Sequence, residues 1–285
     1  MKRTQAFKVI AEQVGRGELI FPTNVHTSIK LQQALDDPDC GIESAAKLVL
    51  TEPLLSARVV AIANSVAYSR FGGGVTNVKT AVTILGFNTL RSIVATVIIR
   101  QLTHAITVPT LREMANQLWE HSAHVAALAH VISRRVSHVD AETALFAGIV
   151  HEVGGFYLLS RAEEFPALLE DMSSRPDDIV DELAESPEAV IGRAVLTKLM
   201  VPKTVVSAVE SLWYGMRVMP PETLGDTLLL ANDLASISSP LDTRSESAIQ
   251  QDASEIDFAI GDGTLSSILE ESEEEVLSLT SALLM

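Results

Sequence analysis

The chain has 285 residues, room for one large or two modest domains, each with its own core. Apolar residues make up 47% and charged residues 20%, a globular rather than a disordered composition. The formal charge of −16 opposes nucleic acid and anionic lipid, and no basic run with aromatics relieves it, so neither nucleic acid nor membrane is an expected partner.

The opening Met1-Lys2-Arg3 is basic, but Lys8 and Glu12 interrupt any signal-like apolar core. Ala6, Val9, Ile10 and Val14 form the stripe of a first helix that ends at Gly15-Arg16-Gly17. A second helix over 25–35 stops at Asp36-Asp37-Pro38-Asp39. Cys40 is the single cysteine, which excludes an intrachain disulfide or thiolate cluster and fits a reducing cytosol. A third helix over 44–51 closes at Glu52-Pro53, and the proline starts a fourth over 54–64, where its missing N–H costs little.

Gly72-Gly73-Gly74 is a loop without the Gly-Lys-Ser/Thr ending of a phosphate cradle. Asn77 caps a helix through Leu85, Gly86 stops it, and another runs over 88–102. Within that last segment the longest strongly apolar stretch, Ile93 to Ile99, lies between Arg91 and Arg100, short of the ~20 residues that span a bilayer. The expected location is cytoplasmic.

Val108-Pro109 reads as a joint. A long helix follows over 110–136, then helices over 140–150 and on through 159, over 166–172, 179–184, 188–200 and 202–214, and over 223–237 after Pro220-Pro221. Residues 238–263 are rich in Ser and Asp and read as mobile. A final acidic amphipathic helix spans Leu265 to Leu284, its run Glu270-Glu271-Ser272-Glu273-Glu274-Glu275 read as a solvated face. No internal repeat is visible. The expected fold is all-α, with a bundle of about five helices (1–108) packed on a second helical domain (109–237), then the mobile stretch and terminal helix (238–285).

Several separate anchors resemble the HDOD family, relatives of the HD metal-dependent phosphohydrolases. They are Phe21-Pro22, Asp36-Asp37-Pro38, Thr51-Glu52-Pro53-Leu54, Ala63-Asn64-Ser65, Ala81 through Gly86 with Leu90-Arg91-Ser92, Leu118-Trp119-Glu120-His121-Ser122, and Ala147 through Gly154. They stand in the family's order over roughly 18–215. The resemblance implies a helical bundle joined to an HD-phosphohydrolase-like helical domain, used as a signalling output. It also implies a metal site inherited from hydrolytic relatives, with histidines and aspartates around one or two divalent ions.

On that resemblance the candidate ligands are His121, His151, Glu152 and Asp233. Glu152 stands where the family's hydrolytic relatives carry Asp, one methylene longer. Further histidines of two-metal relatives align with Glu188 and with Leu212-Trp213, of which only Glu188 can bind an ion. The last aspartate aligns with Asn232, and Asp233 points about 100° away around the helix. Gly155 replaces the lysine that often follows the His-Asp pair.

Helical geometry adds an independent test. Around Leu118, the residues Leu111, Ala115, Val125, Ala129, Ile132 and Val136 form one stripe, with His121 about 60° from its centre. His124 and His130 fall about 120° off on opposite flanks and read as surface or groove residues. His26, His104 and His138 read as solvent-facing, and Trp119 and Trp213 as core or domain contacts.

Two readings of His121 and His151 stay open: buried histidines bonded to neighbouring groups, or ligands of one metal. The corresponding functions are a regulatory output module acting by protein or small-ligand binding, and a metal-dependent phosphohydrolase acting on a phosphoester such as a cyclic (di)nucleotide. The first expects no cofactor, and the second a divalent ion of the Fe, Mn, Zn or Mg kind. Expected partners are signalling proteins such as a receiver, a kinase or a cyclic-dinucleotide protein, with homodimerisation left open.

Overall fold

The computed structural model describes residues 3–21, 23–68, 74–169, 187–214, 218–241 and 264–285, and among them every regular element is helical, with no strand. α1 (Arg3–Gly15) buries Ala6, Phe7, Ile10 and Val14, the stripe expected from their spacing. α2 (Thr23–Leu35) is tied to the rest of the bundle by Arg91, which pairs with Asp36 at 2.6 Å and donates to the Leu35 carbonyl. α3 (Ile42–Leu50) leads into α4 (Pro53–Ala63), where proline occupies the first turn.

α5 (Val78–Ala105) joins two segments that the sequence separates at Gly86. Asn77 caps it as expected, its Oδ1 accepting from Thr80 N at 2.8 Å. Gly86 has φ 72° and ψ 176°, a backbone region open almost only to glycine, so the helix breaks there into the two segments expected, which follow one another across a kink. Read as a whole, α5 is long and apolar enough to cross a bilayer, as is the stretch Ala141–Arg161. Their most apolar windows are 67% and 72% buried inside this fold, which accounts for their hydropathy as core.

α6 (Pro109–Ile132) runs through the centre of the second half. It ends four residues earlier than its periodicity suggests, in a π-helical turn (Ser133–Ser137) that leaves His138 left-handed and exposed. α7 (Ala141–Val150), capped by Asp140, lies directly against α6. Their backbones meet at Gly148, where a Cβ would stand 2.4 Å from Ala126 Cα. α8 (Val153–Arg161) follows, then a 3-10 turn (Pro166–Leu169) at the start of the helix expected over 166–172, the rest of which lies outside the described residues. The helix expected over 179–184 lies outside the described residues.

α9 (Pro187–Lys198) packs against α1 and α8, while α10 (Lys203–Tyr214) and α11 (Leu224–Asp233) pack on each other. A reciprocal Thr223–Asp226 capping box starts α11. Most of the stretch expected to be mobile, 242–263, lies outside the described residues. The single terminal helix expected from the sequence is two: α12 (Thr264–Glu271) and α13 (Glu273–Leu284), hinged at Ser272.

α13 packs over α6 and α4, burying Val276, Leu279, Ala282 and Leu283. This second cover explains why α6 is buried nearly all round, Trp119 included, rather than along one stripe. It also corrects two expectations. His130 is 2% exposed, not a surface residue, and the acidic run is only partly solvated, since Glu275 turns inward to Arg134 at 2.5 Å. His104 is exposed as expected, and His26 lies outside the residues whose side chains are described.

Candidate functional site

The site forms where α6, the C-terminal end of α7 and the segment after α11 converge. His121 projects from α6 and is 2% exposed; His151 caps α7 and is likewise buried. His151 Nδ1 lies 2.7 Å from the Gly148 carbonyl one turn back, and His121 Nδ1 lies 2.6 Å from the Ile237 carbonyl. A carbonyl only accepts, so each Nδ1 carries a hydrogen and each Nε2 is turned inward. The two Nε2 atoms face each other at 3.3 Å. That spacing suits a hydrogen shared between the rings or an ion held by both nitrogens. Asn232 Oδ1, 3.2 Å from His121 Nε2, accepts when that nitrogen carries the hydrogen.

Glu152 follows His151 directly, and its Oε1 accepts from Ser239 Oγ at 3.2 Å. Ligand atoms of His121, His151 and Glu152 all lie within 4.8 Å of one another. Asp233 is buried on the wall of the same pocket but outside that cluster, and Glu188 joins the wall from α9. Asn232 is the residue that reaches His121, as helical register around 232 and 233 suggests.

Burial drives the His151 pKa down to about 3, and the neighbouring His121 charge adds to it; the Gly148 carbonyl and Asn232 pull the other way. His151 is therefore a neutral donor at ordinary pH. His124 is also held below its usual value, by burial and then by His121, and its Nδ1 sits 3.3 Å from Ser236 Oγ.

The pocket has a volume of about 440 Å³. Beyond the cluster, its wall includes Leu158, Leu196, Leu212, Trp213 and Leu241. A Cβ on Gly155 would meet Leu241 Cδ1 at 2.5 Å, so a leucine fills the space that a longer side chain at 155 would need. A Cβ on Gly192 would meet the Trp213 ring at 2.7 Å, so the indole lies flush on α9.

A second buried histidine centre escaped the sequence reading. His130 Nε2 lies 3.6 Å from Glu142 Oε1, and its Nδ1 lies 3.7 Å from Glu275 Oε1. The same Glu142 accepts from Tyr68 Oη and from Thr89 Oγ1, both at 2.5 Å. Burial raises the Glu142 pKa, but the bonds from His130, Thr89 and Tyr68 outweigh it and hold the carboxyl below its ordinary range. Burial, then the Glu142 charge, pushes the Tyr68 phenol up. Nothing local in the sequence marks this centre, because its acids come from α7 and α13.

Residues 21–213 match the HDOD domain family. Among solved structures, the chain is similar to a protein from Shewanella amazonensis SB2B provisionally named a metal-dependent phosphohydrolase. The two are 22% identical over 99% of each chain, with a TM-score of 0.73. It is also similar to an HDOD domain protein of unknown function from Geobacter sulfurreducens, 20% identical over 98% of this chain and 97% of that one, with a TM-score of 0.63. A third is provisionally named a signal transduction protein, from Marinobacter aquaeolei VT8; it is 17% identical over 94% of this chain and 60% of that one, with a TM-score of 0.58. At these identities the likeness is one of fold. No curated protein matches the chain.

Proposed function

The chain belongs to the HDOD domain family, and on that premise we propose that it serves as a signalling output module that works by binding a partner, its histidine pocket holding too few ligands to cleave a phosphoester. The observation that carries this reading is the make-up of the pocket. Three donors cluster, the next candidates Glu188 and Asp233 stand outside the cluster, and Leu241 and Trp213 occupy neighbouring space. The reading includes the division into an N-terminal bundle to residue 108, an HD-like part over 109–237 and a C-terminal segment. A receiver, a kinase or a cyclic-dinucleotide protein is the partner class it names.

One observation favours the alternative, a metal-dependent phosphohydrolase. Both Nδ1 atoms are fixed by backbone carbonyls, the outer support by which proteins orient metal-binding imidazoles. Two imidazole nitrogens and one carboxylate fit a partial shell for a single divalent ion, held by His121, His151 and Glu152. Such an ion would supply Lewis acidity and a more acidic bound water. The chain's own part is to present two inward-facing imidazole nitrogens and a carboxylate in a buried, leucine-walled cavity.

Elemental analysis of purified protein, with a cyclic-dinucleotide hydrolysis assay in the presence and absence of a chelator, separates the two. The proposal expects metal well below one ion per chain and no chelator-sensitive cleavage. Stoichiometric metal lost in His151→Ala, together with chelator-sensitive turnover, overturns it.

A further inference from the structure

On the opposite side of α9 from the histidine pocket, α1, α2 and α9 enclose an open groove of about 750 Å³. Its apolar floor includes Val14, Leu19, Ile29, Val190 and Ala194. Its charged lining residues are Lys30, Arg193 and Lys198, with no acid among them, in a chain whose formal charge is −16. Arg193 is engaged by Glu210 at 2.5 Å, whereas Lys30 and Lys198 are exposed and have no ion pair among the described residues.

The same molecule shows what such a surface accepts. α13, an acidic amphipathic helix, lays Val276, Leu279 and Leu283 on α6 and α4 while Glu275 pairs with Arg134; Glu271 of the preceding α12 reaches Arg135. An apolar trough edged by cations is thus already filled once in this fold by a helix of that chemistry. The α1–α2–α9 groove repeats the pattern with no occupant from the described residues.

We propose that this groove is the partner-docking site and that its occupant is an acidic amphipathic helix of a signalling partner. This deepens the binding-module reading and rests on it. Apolar positions at helical spacing would cover Ile29, Val190 and Ala194, and carboxylates on both flanks would reach Lys30 and Lys198. α9 offers Glu188, Gly192 and Leu196 to the histidine pocket and Val190, Ala194 and Thr197 to the groove, so docking bears on a wall of both.

The test uses the intact protein and a fluorescent peptide of residues 264–285 as the acidic helical probe, read by anisotropy. The expected result is 1:1 binding with a Kd on the order of 10 μM. It should weaken about tenfold or more in Lys30→Glu/Lys198→Glu and persist in Arg134→Gln. Both lysines are exposed, and circular dichroism confirms that the variant is folded. Absence of binding overturns the proposal. So does binding that depends on Arg134 and not on the lysines, which marks exchange with the chain's own α13. Complete displacement by pyrophosphate at constant ionic strength overturns it in favour of a small-anion site. Chelator-sensitive phosphoester cleavage would instead defeat the reading above, by a readout separate from anisotropy.

Discussion

His121 and His130 share one helix about two and a half turns apart, both 2% exposed, yet they face opposite chemistry. His121 meets neutral groups: a backbone carbonyl, an amide and a second imidazole. His130 stands between two carboxylates, with Arg134 on one and Tyr68 and Thr89 on the other. The first arrangement leaves inward-facing nitrogens for an external proton or ion. The second closes on itself and joins α5, α6, α7 and α13. A buried histidine is therefore no sign of a functional site by itself; the partners of its second nitrogen decide.

The largest expected effect strikes the α6–α7 contact that sets both centres. Gly148→Ala places a methyl against Ala126 backbone, which cannot swing aside, and should cost about 3 kcal/mol or more in urea denaturation. A loss under about 1 kcal/mol would show that the helices separate freely.

His130→Ala comes next. It leaves Glu142 and Glu275 in a partly buried setting without the imidazole, and a loss of about 2–3 kcal/mol is expected, with faster proteolysis of the C-terminal helix. Unchanged stability would mean that the acids repartner with Arg134 alone.

Acid should separate the centres. The His151 pKa is depressed, so the unfolded chain takes up its proton first, at about 6.5, while the folded site resists until about 3. Its contribution to stability is thus present above 6.5 and lost progressively as pH falls between those values. The Glu142 pKa is also depressed, below 4.5, so its contribution is present above 4.5 and lost as pH falls through the folded value. Denaturation midpoints for His151→Gln should be flatter than wild type between pH 6.5 and about 3, with the further loss below 4.5 that Glu142 brings common to both. Parallel curves throughout would contradict the assignment.

The smallest effect belongs to the rim. Arg135→Ala removes a contact of 3.5 Å to Glu271 between exposed side chains, and a change of about 0.5 kcal/mol or less is expected from thermal melts at moderate salt.

The sequence is legible where information is local or carried by the family pattern. The Asn77 and Asp140 caps, the proline at the start of α4 and the break at Gly86 follow from the residues themselves. His121, His151 and Glu152 were found together through the order of family anchors, and the structure brings them within 4.8 Å. His130 was misread because a helical wheel knows one buried face, and α6 has two: α7 covers one and α13 the other. Glu275 was read as solvent-facing for the same reason, since a run of five glutamates in six positions hides the one that turns inward. Neither error is repaired locally, because Glu275 and the helix that carries it stand over a hundred residues from His130 and Arg134.

That separation has a cost during biosynthesis. Arg134 and Glu275 are 141 positions apart, so at ~5–20 residues per second the ribosome needs roughly 7–28 s to deliver the acid after the arginine has been made. Throughout that interval the flank of α6 destined for α13, with its apolar residues and the His130 imidazole, has no cover from its eventual neighbour. A nascent chain paused before residue 273 would therefore show chaperones a sticky surface that the finished protein conceals.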